Sequence, residues 1–127
     1  MAALIARLKH RPEFRAVARA RRKAVTPSMI VQAAVSSAAG AAPGGFRVGY
    51  TASRKVGNAV ARNRARRRLR AAVARVLPGH ARGGLDYVII ARKKTVSRSF
   101  AALLSDLETA VDRIGMPRSE PAGRRRP

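Results

Sequence analysis

Apolar positions along this chain recur with two periods, and the change from one to the other divides it into elements. From residue 11 to 19, Phe14, Val17 and Ala18 fall at three- to four-residue spacing, with Pro12 suited to a helix start and Glu13 in the first turn. A short amphipathic helix is predicted there. PSMIVQAAV (27–35) is β-branched enough for a strand, and FRVGYTAS (46–53) alternates like a half-buried one. SSAAGAAPGG (36–45) between them reads as a flexible loop, so the pair suggests a hairpin with an over-long turn. A helix from about Asn58 to Leu77 places Ala65, Leu69, Ala72, Val73 and Val76 on one stripe, and Pro78-Gly79 is expected to end it. After a turn at Gly83-Gly84, LDYVIIAR (85–92) is the strongest strand and SFAALLSDLETAVDRI (99–114) the cleanest amphipathic helix, with Ser97 or Ser99 as its cap. The tail PRSEPAGRRRP has no apolar periodicity and is expected to be disordered. The reading is one domain over residues 1–116 and a basic tail over 117–127, without internal repeats.

Composition narrows the class. The 127 residues are 46% hydrophobic, but much of that is alanine, so the core is thin. Cysteine is absent, which removes disulfides and thiolate metal sites. No run of 18 apolar residues is present to span a membrane, and a cytoplasmic location is expected. The start, MAALIARLKHR, has the Arg/Ala character of an organelle transit peptide, yet it passes into helical sequence without a Ser-rich stretch.

Charge changes the picture most. The chain carries 28 Lys/Arg against six carboxylates, a formal +22. Residues 53–70, SRKVGNAVARNRARRRLR, place eight cationic side chains and two asparagines on a short loop and the helix it opens. From Phe14 to Leu85 there are sixteen Lys/Arg and no Asp or Glu. Solvated helix faces normally mix signs, so this surface calls for anions from outside the chain. A membrane-lying helix would want Trp or Phe on a large apolar face, whereas this one offers Ala, Leu and Val; nucleic acid is the better partner.

Protein-based catalysis finds little support. His10 and His80 have no acid beside them in sequence, Ser53, Ser97 and Ser99 lack the glycines of a nucleophile elbow, and Asp106 and Glu108, two apart on a helix, point away from each other. No carboxylate cluster suggests a metal site. Arginine, by contrast, presents a planar fork to phosphates and stacks on bases, while Lys55 acts as a point charge. Asn58 and Asn63 carry amides that can cap the helix or contact RNA, capping suiting Asn58 better and recognition Asn63; Gly57 lets backbone N–H groups approach a phosphate. Phe14 is suited either to the core or to stacking an unpaired base.

SRKVGNAVARNRARRRLR, with its Arg62-Asn63-Arg64 centre, resembles the signature of the bacterial ribonuclease P protein component. LKHRPEFRAV resembles that family's first helix, FRVGYTASRKVGNAV its passage from strand to motif, and LDYVIIAR its late strand. The resemblance implies an α+β fold, an α/β sandwich of the ribosomal protein S5 domain 2-like type with a small mixed sheet and three helices. It also implies a left-handed βαβ crossover, against the right-handed form in about 98% of cases. It implies a subunit that works with a large catalytic RNA to remove 5′ leaders from precursor tRNA, inactive alone, with Mg²⁺ held mainly by the RNA and neither a membrane nor an obligate protein partner. By the same resemblance Arg54, Arg62, Arg64, Arg66 and Arg70 would contact the catalytic RNA. Phe14, Thr51, Lys55, Asn63 and Arg67 would line a cleft for the single-stranded leader. Where the family often has further aromatics, this chain has Ala18 and Gln32, with Met29 the nearest bulky neighbour of the latter, which implies weaker leader stacking. The rival from another class is an architectural nucleic-acid binder, ribosomal or DNA-compacting.

Overall fold

A computed structural model describes residues 5–36 and 45–114. Most of the 36–45 loop, the first four residues and the 117–127 tail lie outside the described residues. The elements in chain order are β1 (Ala6–Arg7), α1 (Arg11–Arg19), β2 (Arg22–Val25), β3 (Met29–Val35), β4 (Arg47–Thr51), α2 (Ala59–His80), β5 (Leu85–Ala91), α3 (Lys93–Ser97) and α4 (Phe100–Ile114).

The five strands form one mixed sheet in the order β1-β4-β5-β3-β2. The hairpin expected between 27–35 and 46–53 does not form, because β5 lies between them, antiparallel to β3 and parallel to β4. Burial explains the correction. Six of the seven β5 residues are buried, on both faces, and such a strand belongs in the middle of a sheet. β4, α2 and β5 thereby make the βαβ unit that carries the basic helix.

Alternate residues of the central strands face two separate apolar layers. Met29, Val31, Val48, Tyr87 and Ile89 join the buried sides of α2 and α4 in the main core. Leu8, Val17, Ala34 and Val88, with half-buried Phe14 and Ile90, form a smaller core under α1. Helices therefore cover both sheet faces. α1, only nine residues long, covers part of its side. Registers place Thr51, Ile90, Ile30 and Val25 in one row across β4, β5, β3 and β2, and Gly49, Val88, Gln32 and Lys23 in the next.

α1 begins as its sequence predicts. The Glu13 carboxylate accepts from the backbone N–H groups of Lys9 and His10, both at 3.0 Å. It ends where Arg21 takes a φ of 57°, turning the chain into β2. α4 settles the choice of cap: Ser99 Oγ accepts from Ala102 N at 3.1 Å. α2 runs past the expected stop at Pro78-Gly79 to His80. In the last turn proline forfeits one backbone bond, and the Leu77 carbonyl is still met by Ala81 N at 2.7 Å. The five-residue α3 raises the helix number from the expected three to four among the described residues.

Candidate nucleic-acid interface

The basic segment is held out from the sheet by a small number of buried anchors. Ala52 and Val56 are buried while Arg54 and Lys55 between them are exposed. Val56 N donates to Ser53 carbonyl at 3.0 Å and Gly57 N to Arg54 carbonyl at 3.1 Å, which closes the loop into a turn. Gly57 has a φ of +147°, and a Cβ there would sit 2.9 Å from Ala61 Cβ, so the turn into α2 requires glycine. Asn58 Oδ1 then accepts from Ala61 N at 2.9 Å, the capping role its position suggested.

On α2, the apolar stripe read from the sequence is buried, together with Leu77. That single face fixes the direction of every arginine. Arg64, Arg67 and Arg70 are exposed, and Arg62, Arg66 and Arg68 are half-buried at the flanks. Arg66 Nη1 donates to Asn63 Oδ1 at 3.0 Å, and Arg68 Nη2 to the Arg98 carbonyl. The Nε atoms of Arg62 and Arg68 are buried with no hydrogen-bond partner. Tyr50 lies near Arg70 and Arg7, and burial pushes its hydroxyl up to about 12, so it stays neutral.

The five described carboxylates are engaged elsewhere. Arg47 takes two, Glu13 at 2.9 Å and Asp86 at 2.7 Å. These are the acids that bracket the acid-free stretch, so one of its sixteen cations is neutralised from outside it. Backbone N–H groups of His10 and Lys9, then Arg47, hold the Glu13 carboxyl below its usual range. Asp106 accepts from Ser28 and lies 3.3 Å from Arg98 Nε. His80, without an acidic neighbour in sequence, meets Asp112 at 2.8 Å and Glu108 at 3.6 Å, and the Asp112 hydrogen bond raises its pKa. None of the eight cations of 53–70 has an ion-pair partner among the described residues. No group of three or more His, Asp or Glu among them could hold a metal ion.

Among the described residues, three hollows adjoin this surface. One of about 660 Å³ runs along α2 between Val60, Asn63, Arg66, Arg67 and Arg70. The second, about 400 Å³, lies between Arg64, Arg67, Arg68 and Ala71 of α2 and Phe100 of α4. Arg67 stands on the crest between the two. The third, about 760 Å³, opens on the α1 side of the sheet, with Ile30 and Ile90 in its floor and Lys55, Lys93 and Lys94 at its rim.

Of the predicted RNA-contacting residues, Arg66 and Arg70 line the first groove and Arg64 the second, on either side of Arg67, while Arg54 is exposed on the loop and Arg62 half-buried near the start of α2. The five leader candidates divide. Thr51 belongs to the row that contains Ile30 and Ile90, Lys55 to the rim above it, and Phe14 to the adjoining α1. Asn63 and Arg67 lie in the grooves of α2 instead. Of the predicted aromatic departures, Ala18 is exposed on α1 and Gln32 half-buried beside Val88. Sequence reasoning missed Lys93, Lys94 and Phe100. The adjacent lysines directly after a strong strand were a usable signal; for Phe100, the approach to α2 was not readable from its own helix.

The family model for Ribonuclease P matches residues 5–115. The chain is 54% identical over 115 residues to the ribonuclease P protein component of Paramagnetospirillum magneticum, covering 91% of this chain and 86% of that one. It is 50% identical over 112 residues to the corresponding protein of Ruegeria pomeroyi, with 87% of each covered. Two solved structures share the fold: the Staphylococcus aureus RNase P protein, with a TM-score of 0.70, 22% identity and coverage of 88% of this chain and 97% of that one, and that of Thermotoga maritima, with 0.70, 24%, 84% and 96%.

Proposed function

The chain belongs to the ribonuclease P protein component family and is a protein subunit of ribonuclease P, and from that premise we propose how it divides the work with its RNA. Acting as one RNA-binding domain over residues 1–116, it docks on the ribonuclease P RNA through Arg54, Arg62, Arg64, Arg66 and Arg70. The observation that carries this reading is a surface of eight cations with no ion-pair partner among the described residues. Phosphates supply the missing anions, and arginine forks bind them in pairs of hydrogen bonds.

The single-stranded 5′ leader of precursor tRNA is placed on the α1 side of the sheet. Phe14 supplies a ring, Ile30 and Ile90 an apolar floor, Thr51 a hydroxyl and Lys55 a charge. Asn63 and Arg67, on α2, take the strand or the neighbouring RNA as it leaves that floor. The scissile step belongs to the RNA. Mg²⁺ does not fit this donor set, since the described carboxylates are bound to Arg47, Ser28, Arg98 and His80 and the exposed surface is cationic. The metal is held by RNA phosphates, and the protein screens repulsion between RNA strands and positions the leader. The setting is the bacterial cytoplasm.

The test is cleavage of 5′-labelled precursor tRNA at near-physiological Mg²⁺ by a bacterial ribonuclease P RNA, by this protein, and by both. Cleavage is expected only in the mixture, and is lost with Arg62→Ala and Arg67→Ala together. RNA-free cleavage that survives repurification would place the chemistry in the protein.

A further inference from the structure

We propose that the groove between α2 and the start of α4 is a second stacking site, in which Phe100 receives an unpaired nucleobase of the bound RNA while Arg64 and Arg67 hold its flanking phosphates. It rests on the RNA-binding reading above and concerns the side of the sheet opposite α1. Phe100 packs against the main core yet stays half-buried, so part of its ring faces the groove. Ala71, one turn beyond Arg67, is a small residue in the same lining. The walls are fixed. Arg68 donates to the Arg98 carbonyl, which ties α2 to the approach to α4, and the Ser99 cap sets Phe100 as the first residue of its helix.

Among the described residues, the lining pairs one ring with three guanidinium groups and contains no carboxylate, in a hollow of about 400 Å³. An apolar peptide would leave those charges unmatched, and a bare anion would leave the ring unused. An unpaired nucleotide satisfies both, since every base offers a π-face and every linkage a phosphate. Arg67 also borders the groove that contains Asn63, so a strand crossing its crest would pass from one groove to the other.

The chain contains no tryptophan, so Phe100→Trp installs a single fluorescent reporter in the groove. Saturation with ribonuclease P RNA is expected to quench the emission of the introduced indole, whereas inorganic polyphosphate binds without quenching. Phe100→Leu should weaken affinity for that RNA by roughly 5- to 140-fold, the range expected for one lost stack. The salt dependence should be unchanged and Phe100→Tyr should bind as the parent does. Unchanged indole emission at full RNA occupancy would overturn the site, as would equal quenching by polyphosphate or parental affinity of the Phe100→Leu protein. A parent protein that binds ribonuclease P RNA no better than duplex DNA, and gives no cleavage with it, would instead overturn the function proposed above.

Discussion

The Phe14 ring lies so close over Gly49 that a Cβ on that glycine would stand 2.6 Å from both Cε2 and Cζ of the ring. Leu8 Cβ would be 3.1 Å from the same atom, so the ring has β4 beneath it and β1's extension at its side. Glycine at position 49 therefore sets how deeply α1 seats on the sheet. Gly49→Val should displace the ring and cost about 1–3 kcal/mol in urea unfolding, the usual range for overpacking. It should also weaken binding of precursor tRNA more than of mature tRNA. Parental stability and an unchanged ratio of the two affinities would show that the ring does not depend on this close approach.

Arg47 joins Glu13 of α1 to Asp86 of β5, and Asp86 is only 5% exposed. Arg47→Met should remove about 3–5 kcal/mol, because it leaves a buried carboxylate without its partner. Glu13→Gln should cost less, since Glu13 is more exposed than Asp86 and Asp86 keeps its arginine. Denaturant midpoints of the two variants give the order, and a larger loss for Glu13→Gln would contradict it.

His80 gives the fold a pH dependence of defined sign. Its folded pKa is raised above the ordinary 6.5, first by the Asp112 hydrogen bond. Its contribution is complete below 6.5 and fades as pH climbs through the raised folded value. Urea midpoints should fall as pH rises above 6.5, and His80→Gln should flatten that fall. Glu13 works oppositely, its lowered value giving stability above 4.5 that is lost in acid. An identical profile for the His80→Gln protein would remove His80 from the account.

Arg64 and Arg70 are exposed and without ion-pair partners among the described residues, so each contributes mainly through phosphate. Alanine at either should lower the slope of log affinity against log salt by ~0.7–0.9 for each phosphate that is no longer neutralised. Titrations at several salt concentrations measure this. An unaltered slope would mean that the side chain touches no phosphate.

Arg21 holds a left-handed backbone, with φ of 57°, directly after α1. Such a conformation costs an L-residue roughly 1–2 kcal/mol that glycine avoids. Arg21→Gly should raise stability by up to about 1 kcal/mol after its own loss of chain entropy. Thermal unfolding decides, and a drop would mean that the arginine side chain stabilises the turn by more than its strain.

Much of this fold could be read from periodicity. The α2 stripe from Ala65 to Val76 is buried as its spacing requires, and α1, β3, β4, β5 and α4 lie close to their predicted bounds. β1, β2 and α3 were missed for a shared reason. Two, four and five residues are too few to establish a period, and β2, Arg-Lys-Ala-Val, buries only Ala24. The false hairpin had another cause: neighbouring segments were paired by proximity, while the doubly buried β5 competed for both from farther along the chain. For the site, the unbalanced charge of 53–70 pointed to the surface. The separation of Lys55 from Asn63 and Arg67 depends on which side of the sheet each element occupies, and the groove at Phe100 depends on α4 meeting α2, neither of which is a local property.

The row Thr51, Ile90, Ile30, Val25 has one more consequence, which is metrical. It crosses four strands, hence three steps of about 4.8 Å, and is about 14 Å long. A strand stacked at about 3.4 Å per nucleotide would lay about four nucleotides along it. The sheet is thus a ruler whose graduations are the backbone hydrogen bonds between strands. On the proposed leader path, side-chain substitutions in the row would change which bases are preferred, but the length of leader gauged would be set by the number of strands.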